Sequence, residues 1–109
     1  MYDGHGGASC ADFLRDNLHQ FVIKESCFPY SPADALKKGF EAAEREYLKI
    51  CQSGGSESDS SAPGLSDKSG SCGVVALIVG DICYVANVGD SRAVLSMYLC
   101  LDSAKSEIF

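Results

Sequence analysis

The sequence has no basic surplus. Nine Lys and Arg stand against 15 Asp and Glu, a formal net charge of −6. A nucleic-acid grip needs a basic face to neutralise phosphates, and a membrane-surface helix needs a basic polar face, so neither partner is expected. Long hydrophobic runs are missing as well. The longest uncharged apolar stretch, Gly73 to Gly80, falls far short of the ~20 residues that cross a bilayer. No secretory pattern follows Met1, since Tyr2, Asp3 and Gly4 come at once. No pair of cysteines shows C-x-x-C spacing, which leaves zinc and thioredoxin-like sites little support, and no internal repeat is visible. What is present is 109 residues, 46% hydrophobic and 22% charged. That composition excludes a collagen-like or wholly disordered chain and allows one domain at most. Without a secretory route, the six cysteines (Cys10, Cys27, Cys51, Cys72, Cys83 and Cys100) predict reduced, mostly buried thiols in a cytoplasmic or nuclear chain.

Periodicity divides the chain. Residues 4–7 read Gly-His-Gly-Gly, a loop. From Ala8 on, Ala11, Leu14, Leu18, Phe21 and Val22 recur at steps of three and four and predict a helix. Asp12, Arg15, Asp16, His19 and Gln20 take its wet side. Cys27-Phe28-Pro29 ends that stretch. Ser31 then suits an N-cap, Pro32 the first helical position and Asp34 the positive first turn. Leu36, Phe40, Ala43, Tyr47 and Ile50 form the apolar stripe of this second helix. From Gln52 to Gly70 serine and glycine dominate and nothing apolar repeats, so a flexible loop is expected over 52–70. Val74–Val79 and Ile82–Val88 are apolar runs separated only by Gly80-Asp81. Glycine-first two-residue turns suit tight hairpins, and this one sets Leu77 opposite Tyr84 and Val75 opposite Ala86. A near-continuous apolar run predicts a strand covered on both faces. After a turn at Asn87–Ser91, Arg92 to Ser96 is expected to start a third strand.

Two clusters could carry chemistry. Asp3-Gly4-His5-Gly6-Gly7 joins a carboxylate, suited to a hard divalent cation, to a glycine whose carbonyl can approach the same ion and to a histidine able to move a proton near neutral pH. Asn87-Val88-Gly89-Asp90-Ser91-Arg92 carries a second carboxylate. Taken singly, each reads first as a polar turn. Gly4-x-Gly6-x-x-Ser9 before a helix also suggests a phosphate-cradling loop, but the βαβ unit that such a loop requires is missing. Ser69-Gly70-Ser71-Cys72-Gly73 lies one residue from a nucleophile elbow, yet strand pattern rather than helix follows Ser71, and both histidines precede the serine.

The two clusters together are far more specific than either part. Tyr2-Asp3-Gly4-His5-Gly6-Gly7, two helices, Ser69-Gly70-Ser71-Cys72, and then Val88-Gly89-Asp90-Ser91-Arg92-Ala93-Val94-Leu95 resemble the type 2C, metal-dependent protein serine/threonine phosphatases, with wording closest to plant members over Ile82–Ser96. The resemblance implies an α+β fold, part of a four-layer α-β-β-α sandwich built here from two amphipathic helices and an antiparallel meander. It implies two Mg²⁺ or Mn²⁺ ions with a third, weaker position. Asp3 would bridge the two metals, Gly4 would supply a backbone carbonyl, and Asp90 would serve the third position. His5 would be the general acid, and phosphoserine or phosphothreonine proteins would be the substrates. The family pattern has threonine where Cys72 stands. Its phosphate-binding arginine and further acidic ligands would lie before Met1 and beyond Ser96. The expectation is therefore a partial phosphatase domain over residues 1–96 with a divergent tail over 97–109. A non-catalytic interaction fragment of that fold, its exposed edges leaving self-association open, is the alternative. A plain acidic α+β domain that binds no metal is the third.

Overall fold

In a computed structural model of the chain, residues 1–53, 68–96 and 106–108 are described. Strand β1 (Tyr2–His5) leads into helix α1 (Ser9–Ile23), helix α2 (Pro32–Ser53), strands β2 (Gly70–Val79) and β3 (Ile82–Val88), and a short strand β4 (Ser106–Ile108). The sheet order is β1-β2-β3-β4. The first three strands are antiparallel neighbours, while β4 lies parallel to β3. This is an α+β fold: the described residues build one helical layer and one sheet layer of the expected sandwich.

The hairpin forms as read, with Gly80 at φ +60° and Leu77 and Val75 opposite Tyr84 and Ala86. Alternation along a strand then sorts the side chains. Tyr2, Val75, Leu77, Tyr84 and Ala86 pack toward the helices. Their neighbours in sequence belong to the opposite face, where Ile78 is 72% exposed. Only one face of the hairpin is thus covered among the described residues, against the expectation of two.

The helices owe their pairing to small residues. Leu18 and Val22 of α1 and Ala35, Leu36 and Ala43 of α2 form the buried core. At Gly39 an added Cβ would stand 2.5 Å from Val22 Cγ2 and 3.0 Å from Val22 Cα. The backbones therefore meet where glycine permits it. Before α2, the Ser31 carbonyl accepts from the Ala35 amide at 3.0 Å, and its hydroxyl donates to the Asp34 carboxylate at 2.7 Å. Ser31 does precede the first helical residue, but its side chain is spent on Asp34.

Several expectations need correction. Gly4 and His5 belong to β1 rather than to a loop, because β2 offers a partner that no local pattern reveals. The third antiparallel strand is this β1. Residues 91–96 form no strand, and Val94 at 91% and Leu95 at 58% exposure are not covered by the described residues. Helix α2 runs past Ile50 to Ser53, with Ile50 48% exposed. At the other end of the serine-rich stretch, Gly70 already begins β2; residues 54–67 of that expected loop lie outside the described residues. So do most of the 97–109 tail and Cys100, but the tail contains β4. The five described cysteines form no disulfide among the described residues and are half-buried rather than buried. Among the described residues, no helix is long and apolar enough to cross a membrane.

Candidate metal centre

The antiparallel register of β1 on β2 sets Asp3 opposite Cys72 and His5 opposite Gly70. Tyr2 turns toward the helices, so Asp3 and His5 belong to the opposite face of the sheet. Gly4, between them, faces α1: an added Cβ there would meet Ala11 Cβ at 3.2 Å.

Asp90 arrives from the other direction. Strand β3 ends at Val88, and Gly89 follows at φ +99°, a conformation that other residues rarely adopt. Space demands glycine there too, since an added Cβ would fall 2.5 Å from Cys72 Sγ. The chain thereby folds over the Cys72 side chain. The Cys72 thiol donates to the Asp90 carboxylate at 3.2 Å, and the Asn87 amide donates to the Ser91 carbonyl at 2.5 Å.

Asp3, Gly4, His5, Cys72, Gly89 and Asp90 line one cleft of about 470 Å³. All four residues singled out in the sequence (Asp3, Gly4, His5 and Asp90) are among them, although 84 residues lie between His5 and Asp90. Cys72, which the motif comparison marked only as a departure, proves to be the contact between the two arms. Asp3, His5 and Asp90 are all exposed.

Two carboxylates and a backbone carbonyl are hard oxygen donors. They suit Mg²⁺ or Mn²⁺ held by few protein ligands and several waters. Among the described residues, no three His, Cys, Asp or Glu side chains converge tightly enough to hold an ion by themselves. The donor chemistry therefore suits a hydrated hard cation, for which the described residues could supply only part of the shell.

Beside this cleft runs a larger groove of about 940 Å³ between α2 and the sheet, mostly apolar and bordered by Leu36, Phe40 and Tyr47, with His5 and Ser69 at one end. Ser69 is 8% exposed. Its hydroxyl accepts from the Cys10 amide at 3.1 Å and shares a 2.6 Å hydrogen bond with the Tyr47 hydroxyl. In the sequence the serine belongs to the Ser69-Gly70-Ser71-Cys72 motif, which assigns it no anchoring role. No local signal announces a hydroxyl that reaches two helices at once.

Comparison with known proteins agrees with the motifs. The family model described as Protein phosphatase 2C matches residues 1–98. A rice relative (Oryza sativa subsp. japonica) named "Probable protein phosphatase 2C 61" is 42% identical over 101 residues, which cover 87% of this chain and 24% of that protein. An Arabidopsis thaliana relative named "Probable protein phosphatase 2C 27" is 37% identical over 95 residues, covering 87% of this chain and 22% of its own length. The rice "Probable protein phosphatase 2C 45" is 35% identical over 95 residues, covering 87% of this chain and 29% of that protein. The chain spans about a quarter of the length of these curated relatives. A family match across most of the sequence, with the Asp3 and Asp90 motifs meeting in one cleft, makes this chain a member of the protein phosphatase 2C family.

Proposed function

We propose that the chain carries part of the catalytic centre of a metal-dependent protein serine/threonine phosphatase. The observation that supports this reading is the meeting of Asp3, Gly4, His5 and Asp90 in one exposed cleft. In this reading the carboxylates of Asp3 and Asp90, with the Gly4 carbonyl, hold Mg²⁺ or Mn²⁺. Bound divalent ions supply an activated water and neutralise phosphoryl charge. The chain's own part is to orient and to move a proton. Asp3 is held on a strand paired along its length, so its carboxylate starts from a fixed backbone. Asp90 is steadied by the Cys72 thiol. His5 is the general acid, giving a proton to the serine or threonine oxygen that leaves the phosphate. Phosphoserine and phosphothreonine proteins are the substrates, and a reducing compartment, cytoplasm or nucleus, accompanies cysteines that form no disulfide among the described residues.

The test is Mn²⁺-dependent release of phosphate from a phosphothreonine peptide, with Mn²⁺ binding followed by calorimetry. Asp3→Asn is expected to weaken Mn²⁺ binding at least about tenfold, on the scale of removing one charge-assisted contact, and to abolish turnover. Calorimetry that shows no Mn²⁺ binding by the folded chain overturns the proposal.

A further inference from the structure

We infer that Ser69 is a positioning residue that seats the His5 imidazole at the cleft. The inference deepens the phosphatase reading and rests on it for the role of His5, but its geometry stands apart from turnover.

Three consecutive residues, 68–70, underlie three others, 5–7. An added Cβ at Gly6 would meet the Lys68 carbonyl at 3.3 Å, and one at Gly7 would meet Ser69 Cβ at 3.1 Å. At Gly70 the added Cβ would collide with Nε2 of the His5 ring. The imidazole therefore rests against the bare Cα of Gly70, its partner across the β1–β2 ladder. Gly70 makes the seat, and something must hold the seat at the right height.

Ser69 is the anchor next to it. Helix α1 begins after Ala8, whose side chain caps nothing. The first turn of a helix leaves amide donors that need outside acceptors. The Ser69 hydroxyl accepts from one of them, the Cys10 amide, at 3.1 Å, and meets the Tyr47 hydroxyl of α2 at 2.6 Å. A single buried side chain thus ties the entry to β2 to both helices immediately beside the His5 seat. Losing the hydroxyl would take an acceptor from the half-buried Cys10 amide and a hydrogen-bond partner from the buried Tyr47 hydroxyl, and lost hydrogen bonds of this kind are costly. The connection would then relax by movement of the 68–70 segment, which carries Gly70 and the ring with it.

The chain contains two histidines, and His19 on the exposed side of α1 is an internal control. The experiment records the imidazole carbon-bound proton and carbon resonances of both at one fixed pH, together with hydrogen exchange of the Cys10 amide, in the full chain. Ser69→Ala and Tyr47→Phe are expected to shift the His5 resonances toward those of His19, leave His19 in place, and speed Cys10 exchange on the order of tenfold. Ser69→Thr, which keeps the hydroxyl, should restore both readouts. An unmoved His5 signal in folded Ser69→Ala overturns the proposal. Should Ser69→Ala fail to fold, Tyr47→Phe decides: the His5 shift supports the role, and its absence with accelerated Cys10 exchange overturns it. Absence of phosphopeptide hydrolysis by the wild-type chain, with these shifts intact, removes the phosphatase reading and leaves the seating of His5 standing.

Discussion

The helix pair and the cleft are built on opposite terms. Between α1 and α2, Leu18 is 1% exposed and Ala35 and Ala43 are 0% exposed. Backbones touch at Gly39, and the contact is apolar. At the cleft, Asp3, His5 and Asp90 are exposed, and their placement comes from strand register, one positive-φ glycine and a thiol hydrogen bond. The helix pair supplies stability through burial, while the cleft supplies chemistry on a frame anchored from the other side. The two should respond to substitution separately: changes in the helix pair lower stability, and changes in the cleft alter ion binding.

The sharpest way to break the helix side is Leu18→Ala. Truncating a fully buried leucine costs about 2–5 kcal/mol, a large share of the stability of a domain this small. Denaturant unfolding of the full chain should show that loss or outright unfolding. A loss under about 1 kcal/mol would mean that the helix pair is not the core. Gly39→Ala comes next. Better helix propensity favours alanine by about 1 kcal/mol, but overpacking costs about 1–3 kcal/mol. The obstacle is partly Val22 backbone, which cannot swing aside, so the collision should win by about 1 kcal/mol in the same measurement.

On the cleft side, Cys72→Ser replaces a weak donor with a stronger one toward Asp90. Outer partners of metal ligands alter affinity by roughly 10- to 100-fold when removed, so strengthening one should tighten Mn²⁺ binding by a few-fold, read by calorimetry, with unfolding unchanged. Weaker Mn²⁺ binding would instead assign the thiol a direct role at the ion.

The smallest effect concerns Tyr2, which links the two regions because it shares β1 with Asp3 and turns toward the helices. Burial raises its pKa above the ordinary 10.0. The unfolded chain then ionises first, so stability is fully present below that ordinary value and falls as pH rises through the raised one. Alkaline unfolding monitored by tyrosinate absorbance should show this decline, and Tyr2→Phe should remove it.

Much of this was legible in the residues. Steps of three and four placed both helices, and Gly80-Asp81 set the hairpin and its register. The Asp3 and Asp90 motifs, each a polar turn when taken singly, pointed to one site through the family resemblance that they carry together. Strand β1 stayed hidden, because Tyr2-Asp3-Gly4-His5 has no alternation of its own and becomes a strand only against β2. Arg92–Ser96 misled for the opposite reason: its apolar residues look like a strand, but none of the described residues covers them. Ser69 was invisible as an anchor, since its partners Cys10 and Tyr47 lie 59 and 22 residues away.

By itself, then, the sequence determined the two helices, the hairpin and the family resemblance, because helix periodicity, turn glycines and short motifs are properties of neighbouring residues. Only the tertiary structure decided which strand borders which, that Cys72 joins the arms bearing Asp3 and Asp90, and that Ser69 stands under the His5 seat. Those are contacts between distant residues, set by the register of β1 on β2 and by the close approach that Gly70 and Gly89 allow.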